Sequence, residues 1–309
     1  MKELRFDGQT AIVTGAGGNP SLGRAHAMLL AARGANVVVN DIGSKHAPGP
    51  ATAQGVVDEI LALGGQAVAD DNSVATLGGA EAIVKTAMDA YGRVDILVNN
   101  AGVVFNVGVE ELAPQDYQRT IDVNLMGPMW MARAVWPIMR KQAYGRIVNI
   151  TSGSMYGFAL QAAYAASKGG MWGLTRGLAA EGERYGIKVN ALSPGAFTRM
   201  VIGSQEEDCK TFQGTKAYMP AEIVSPGVAF LCHEQCPVTG ECLDVMGGAA
   251  RRTYMAWTDG IRDPELTIEK IAERWDEIMG GASSQLIPIA MMDGFERHDK
   301  PYVPSPVEA

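Results

Sequence analysis

The chain has 309 residues, enough for one large α/β domain or two small ones and for a sizeable buried core. Glycine supplies 37 of them, about 12 % against a usual ~7 %, and 19 % are charged, which excludes a disordered or collagen-like chain and asks for a backbone reason behind the excess glycine. With 26 basic against 34 acidic residues the net charge is −8 and no basic stripe appears, so nucleic acid is not an expected partner.

A charged start (Lys2, Glu3, Arg5, Asp7) leads directly into a short apolar run, without the long apolar stretch or small-residue cleavage site of a signal peptide. Strands are predicted at Ala11–Val13, Val37–Val39, Ala67–Ala69, Asp95–Val98, Ile147–Ile150, Lys188–Leu192 and Leu243–Met246. Between them lie helical patterns at Ser21–Arg33, Thr52–Leu63, Gly79–Tyr91, Pro114–Lys141, Gln161–Tyr185 and Ala221–Cys232, several closed by a glycine (Gly34, Gly64, Gly92, Gly186). Seven strands alternating with six helices predict an α/β fold, a doubly wound seven-stranded parallel sheet, because parallel strands need long crossovers whose helices cover both faces.

The uncharged run Ile147–Ser167 is about membrane length, but Asn149, Thr151, Ser152, Ser154 and Gln161 would be costly in lipid, so no membrane span is expected. From Ala249 the strand–helix rhythm stops, leaving one more amphipathic helix, Pro264–Met279, and a Pro-containing end, Pro301–Ala309. The expected organisation is a catalytic domain over residues 1–250 and an extension over 251–309 that packs on it or on a partner subunit. Cys209, Cys232, Cys236 and Cys242 are too few for a disulfide framework, and Cys232-His233-x-x-Cys236 lacks a second pair at finger spacing, so a reducing compartment and no metal are expected.

Thr14–Gly23 reads T-G-A-G-G-N-P-S-L-G between a strand and a helix, the setting in which glycines let backbone N–H groups approach a pyrophosphate. Eighteen residues past Gly23, Asp41 ends the second strand, where a carboxylate would accept from both ribose hydroxyls and repel a 2′-phosphate. No Arg follows it closely, which favours NAD over NADP. Tyr164 and Lys168, spaced i, i+4, share a helix face, so one ammonium can lower the pKa of one phenol from ~10 toward usefulness as an acid/base. Ser152 ends a strand 12 residues earlier, with Ser154 as a possible substitute, and Asn124 is polar inside an apolar helix, either bridging through water to Lys168 or satisfying a bent helix backbone.

The set T-G-(x)n-G, N-N-A-G (Asn99–Gly102), Val123-Asn124, Ser152, Y-x-x-x-K and P-G-x-x-T (Pro194, Gly195, Thr198), in this order, resembles the short-chain dehydrogenase/reductase family. Val37–Gly43, Lys141–Val148, Thr198–Met200, Leu231–Cys236 and Thr267–Trp275 are more narrowly similar to its (3R)-hydroxyacyl-CoA dehydrogenases. The resemblance implies a Rossmann-type fold with NAD, Tyr164 as acid/base, Lys168 on the nicotinamide ribose, Ser152 on the substrate oxygen and Asn124 holding a relay water. It places Gly15, Ser21, Leu22 and Gly23 in the phosphate loop, Asn100, Ala101 and Gly102 along the cofactor cleft, and Pro194, Gly195 and Thr198 at the carboxamide. It puts Asp71 or Asn72, with Ser73 and Val74, at the adenine.

Three features depart from the family pattern. The glycine loop is two residues longer and carries Asn19-Pro20, so its phosphate contacts are not assigned residue by residue. Ser152 sits one residue nearer Tyr164. The chain ends Pro-Val-Glu-Ala without a peroxisomal address, which suggests a stand-alone cytoplasmic enzyme. Met200–Met219 is the expected substrate lid, with Met200, Phe212, Tyr218 and Met219 as apolar surface and Lys210 and Lys216 for an anionic group such as a CoA phosphate. The Met- and Trp-rich run Met126–Met139 suggests a homodimer or homotetramer built through this helix and the one bearing Tyr164. The expected activity is NAD-dependent interconversion of a secondary alcohol and a ketone, with a (3R)-3-hydroxyacyl-CoA as substrate. A hydroxysteroid or other cyclic alcohol, or a 3-oxoacyl thioester, is the alternative. A catalytically silent NAD-binding scaffold would predict a gap at Tyr164, Lys168 or Ser152, and the sequence has none.

Overall fold

A computed structural model of the chain describes residues 3–43, 52–202, 210–280 and 284–289. Seven short runs form a parallel sheet: β1 (Thr10–Thr14), β2 (Asn36–Asn40), β3 (Gln66–Asp70), β4 (Ile96–Asn99), β5 (Gly145–Ile150), β6 (Ile187–Gly195) and β7 (Cys242–Met246). Their side chains alternate between two cores, as a strand's period of two requires. Val37, Val39, Ile96 and Val98 pack on one face under α1 (Leu22–Ala32) and α2 (Ala53–Ala62), while Val38, Leu97 and Ile147 pack on the other under α3 (Leu77–Tyr91). Burial on both faces is why these strands read as continuous apolar runs.

The sheet order is β3-β2-β1-β4-β5-β6-β7-β8, with an antiparallel eighth strand, β8 (Ala249–Thr253), beyond the seven expected. Gly247 and Gly248, both at positive φ, make the tight turn that pairs Met246 with Ala249. Sequence reasoning stopped at β7 because every residue of β8 is at least partly exposed and its Ala-Ala-Arg-Arg-Thr shows no apolar pattern. β8 also runs through residue 250, where the catalytic domain was expected to end.

The long pattern 114–141 is helical throughout but is not one α-helix. α4 (Pro114–Ile121) passes through a π turn, Asp122–Met126, into α5 (Gly127–Gln142). Pro128 has no N–H to offer the carbonyl four residues back, that of Asn124, so the regular ladder must slip there. The remaining helices are α6 (Ala162–Gly182), α7 (Arg199–Ile202), α8 (Lys210–Tyr218), α9 (Ser225–Cys232), α10 (Ile268–Glu273) and α11 (Trp275–Met279). The single helix expected at Pro264–Met279 is therefore two short ones. Neither buries a residue, so no core contact rewards a continuous helix. A small antiparallel pair, β9 (Ala256–Thr258) with β10 (Ser284–Leu286), completes the described part of the extension. No helix among the described residues is long and apolar enough to cross a membrane.

Candidate active site

In a sheet of this order the chain runs outward in one direction from β1 and in the other from β4, so the loops after β1 and β4 diverge and leave a crevice at the carboxyl edge. Every residue singled out from the sequence follows a strand at that edge or lies on a helix beside it. Asp41 follows β2, Asp71–Val74 follow β3, Asn100–Gly102 follow β4, Ser152 follows β5, and Pro194, Gly195 and Thr198 end or follow β6.

Ser152, Tyr164, Lys168 and Asn124 converge there. Tyr164 and Lys168 are both buried on α6, one turn apart, with Nζ 5.6 Å from the phenol ring centroid. Lys168 Nζ donates to the Ile150 carbonyl at 2.7 Å, and Thr151 Oγ1 donates to the Lys168 carbonyl at 2.9 Å, so the end of β5 and the helix hold each other in place. A buried polar ladder does the same two turns further along α6, Asn99 Nδ2 donating to Asn149 and Asn149 Nδ2 to Thr175, both at 2.9 Å. A Cβ on Gly102 would lie 3.4 Å from Asn124 Oδ1 and 3.8 Å from Lys168 Nζ, which places all three around one small space.

Burial pushes the Tyr164 hydroxyl above its ordinary value, with a hydrogen bond to Ser152 pulling the other way, and burial alone brings Lys168 down to about 8. The sequence argument expected the ammonium, together with the positive ring of an oxidised nicotinamide, to lower the phenol's value. In the protein by itself desolvation wins, because Lys168 turns its amine to a backbone carbonyl while both groups are removed from water. Ser154, named as a possible substitute, is bonded to Ser152: the two hydroxyls lie 3.1 Å apart, and Ser154 Oγ donates to Gln161 Oε1 at 2.6 Å. Gln161 in turn donates to Asn106 Oδ1 at 2.6 Å.

The glycine loop is packed too closely against the loop after β4 and against itself to admit side chains at two of its glycines. Gly15 has φ 64°, and a Cβ there would stand 2.7 Å from Ala101 Cα, while one on Gly23 would stand 2.8 Å from Ala16 Cα. Ser21 caps α1 by accepting from the Arg24 N–H at 3.1 Å. Asn100 Nδ2 donates to the carbonyls of Thr14 and Gly15, and Thr14 Oγ1 accepts from the N–H groups of Asn100 and Ala101, so the loops after β1 and β4 are laced together. Asp41 accepts from the N–H groups of Gly17 and Gly43, both at 2.9 Å. Asn72 donates to Asp70 at 3.0 Å and Asp71 is exposed. Glycines forced by contact, a capped helix start and a carboxylate at the end of β2 fit a dinucleotide.

The family model described as short chain dehydrogenase matches residues 9–209, well over half of the chain. The chain belongs to the short-chain dehydrogenase family. It is 40 % identical over 285 residues to the peroxisomal multifunctional enzyme type 2 of Drosophila melanogaster, covering 89 % of this chain but only 46 % of that one. It is 38 % identical over 244 residues to the 3-oxoacyl-[acyl-carrier-protein] reductase of Synechocystis, 78 % of this chain and 96 % of that one. A crystal structure of a short chain dehydrogenase from Mycobacterium avium superposes with a TM-score of 0.77 at 37 % identity, covering 92 % of this chain and 98 % of that one. The fold and the oxidoreductase class on CH–OH donors follow from the family, which binds a nicotinamide cofactor.

The segment that the sequence suggests as a substrate lid follows β6. Its start is anchored, the Phe197 N–H donating to the Met219 carbonyl at 2.6 Å. Residues 203–209 and the side chains of Lys210 and Phe212 lie outside the described residues, whereas Tyr218 is exposed. Sequence reasoning missed Gln161 as a partner of Ser154, Asn106 behind it, and Thr14 as the link between loops. The only available signal was Thr14 opening the glycine motif. Among the described residues no three His, Cys, Asp or Glu side chains gather as a metal would need, and burial raises the Cys232 thiol and brings Cys242 to about 12.

Proposed function

We propose that the chain is an NAD-dependent dehydrogenase that interconverts a (3R)-3-hydroxyacyl-CoA and its 3-oxo form. The observation that carries the reading is the meeting of Ser152, Tyr164 and Lys168 beside the glycine cradle. When bound, the nicotinamide supplies the hydride acceptor and, oxidised, a positive charge near the phenol. Ser152 holds the substrate oxygen and Tyr164 takes its proton during oxidation. Lys168 keeps a positive charge beside the ring, which favours the phenolate that accepts this proton, and Asn124 fixes the strand-end loop around them. Gly15, Ser21, Leu22, Gly23, Asn100, Ala101, Gly102, Pro194, Gly195 and Thr198 would hold the cofactor, and Asn72 with Ser73 and Val74 its adenine. Asp41 supports NAD over NADP, its carboxylate standing where a 2′-phosphate would meet like charge.

The Synechocystis relative, a 3-oxoacyl reductase by name, supports the reverse direction on another thioester as the second reading. An apolar groove of about 390 Å³ between α5 and α6, lined by Met129, Trp136, Pro137, Arg140, Leu174 and Leu178, supports pairing of subunits across these helices. A cytoplasmic setting belongs to the same proposal and is checked by fractionating cells.

The decisive experiment is a panel of (3R)-hydroxyacyl-CoA, acyl-carrier-protein thioester, hydroxysteroid and simple alcohol substrates, with NAD and NADP side by side, followed by absorbance of the reduced nicotinamide. The reading expects the highest kcat/KM for a (3R)-hydroxyacyl-CoA with NAD. A preference for NADP overturns the Asp41 argument, and turnover confined to steroids or simple alcohols overturns the substrate.

A further inference from the structure

We propose that Arg199 is a clamp on the pyrophosphate of the nicotinamide cofactor, an assignment that rests on the dehydrogenase reading above. Arg199 opens α7, far from the glycine loop in sequence, yet it is docked on that loop twice. Its backbone N–H donates to the Pro20 carbonyl at 3.2 Å. Its guanidinium lies so close over Gly18 that a Cβ there would fall 2.6 Å from Cζ and 2.7 Å from Nε. With no side chain at Gly18, the guanidinium lies directly against the backbone of the loop.

The charges around the loop leave that cation unmatched. From Thr14 to Gly23 the sequence has no Lys or Arg of its own. Arg24, next along the chain, is paired with Glu59 and lies 3.9 Å from Glu222. Lys168 is turned to the Ile150 carbonyl. The nearby carboxylate of Asp41 is engaged by the N–H groups of Gly17 and Gly43 and forms no ion pair with Arg199. Among the described residues the Arg199 guanidinium, only partly exposed, has no hydrogen-bond or carboxylate partner.

A half-buried guanidinium with its N–H donors unmatched is a poor resting state and a good receptor for a planar or tetrahedral oxyanion, which it binds with two parallel hydrogen bonds. A dinucleotide lying in the crevice carries its diphosphate past the loop that holds Gly18, between Gly15 and the α1 cap at Ser21. The extra length of the loop, with Asn19-Pro20, then supplies the Pro20 carbonyl that fixes Arg199 in place. CoA phosphates and a 2′-phosphate share the same chemistry, but Gly18 belongs to the phosphate loop itself, which favours the cofactor diphosphate.

The test compares wild type, Arg199→Gln and Arg199→Lys as the full chain, with melting temperatures to establish folding. NADH binding is read by nicotinamide fluorescence, ADP-ribose by calorimetry, and adenosine by competition against NADH. The clamp expects Arg199→Gln to weaken NADH and ADP-ribose by about 10- to 100-fold, the range of a charge-assisted hydrogen-bonded pair, with adenosine within twofold of wild type and Arg199→Lys in between. Unchanged NADH binding in Arg199→Gln overturns the clamp and leaves the dehydrogenase reading standing. Equal loss for adenosine overturns it in favour of a collapsed loop, and a larger loss for NADPH than for NADH moves Arg199 to the 2′-phosphate. A raised KM for the acyl-CoA with unchanged NADH affinity moves it to the substrate. A wild-type protein that binds neither NADH nor ADP-ribose overturns both proposals.

Discussion

Asn124 and Val103 exchange two hydrogen bonds, Asn124 Nδ2 donating to the Val103 carbonyl and Asn124 Oδ1 accepting the Val103 N–H, each at 2.8 Å. The amide sits fully buried in the π turn and reads the backbone of the loop after β4 as a neighbouring strand would. Nδ2 also reaches Ser167 Oγ at 3.2 Å, and Ser167 Oγ donates to the Tyr164 carbonyl, so one side chain ties the loop to the helix that bears the acid/base.

Asn124→Ala should therefore lower stability by about 2–4 kcal/mol, the cost of leaving two partly buried backbone groups without partners, and lower kcat more than it raises KM. Asn124→Asp keeps the acceptor but turns a carboxylate oxygen toward the Val103 carbonyl in a fully buried site, so its stability should fall at least as far. Urea unfolding of the three proteins checks this, and an alanine variant as stable as wild type would refute the brace.

Lys168 combines usefulness with a stability cost. Its ordinary pKa of 10.5 falls to about 8 in the fold, so between these values the native state binds fewer protons than the unfolded chain. Stability from this group thus rises as pH climbs through that window, and below pH 8 the buried charge costs on the order of 3 kcal/mol. Lys168→Met removes that cost but leaves the Ile150 carbonyl without its donor, for a net gain of about 2 kcal/mol at pH 7 that fades by pH 10. Turnover should drop at least ~100-fold. Denaturation at pH 7 and pH 10 gives the first result and steady-state rates the second; a variant that is both active and no more stable contradicts the account.

Much of this was legible before the fold was known, for stated physical reasons. Val37–Val39 and, apart from Asn149, Ile147–Ile150 are buried apolar runs, the near-continuous pattern of strands covered on both faces. Tyr164 and Lys168 announce themselves because a helix converts a spacing of four into one face. What stayed hidden has no one-dimensional trace. Gln161 and Asn106 meet across 55 residues through a side-chain contact, β8 is too exposed to show a pattern, and the desolvation that raises the Tyr164 hydroxyl depends on packing.

Gly15 should tolerate nothing larger. Its φ of 64° disfavours any L side chain, and a Cβ would press on Ala101 Cα at 2.7 Å. Gly15→Ala adds about 1–2 kcal/mol of backbone strain and pushes the loops after β1 and β4 apart. NADH affinity should fall at least ~10-fold, beyond what the strain alone predicts for stability. Gly78→Ala, at an exposed position of α3 with open space for a Cβ, is the control that should leave NADH affinity unchanged and raise stability by up to about 1 kcal/mol.

His26 sets a limit on acid tolerance. It is buried on α1, with Nδ1 2.9 Å from Ser225 Oγ of α9 and Nε2 without a partner, and burial holds its pKa down to about 3 from the ordinary 6.5. The native imidazole stays neutral while the unfolded one takes up a proton, so the stabilisation is whole above pH 6.5 and drains away as pH falls toward 3. At pH 5 the loss from this group is about 2 kcal/mol. His26→Gln keeps a hydrogen-bonding partner for Ser225 but cannot titrate, so its unfolding free energy should fall between pH 7 and pH 5 by about 2 kcal/mol less than wild type does. Because the native imidazole stays neutral over this interval, the NADH affinity of the folded protein should not change through His26 in either protein. Equal acid slopes in the two proteins would place the proton uptake on another group.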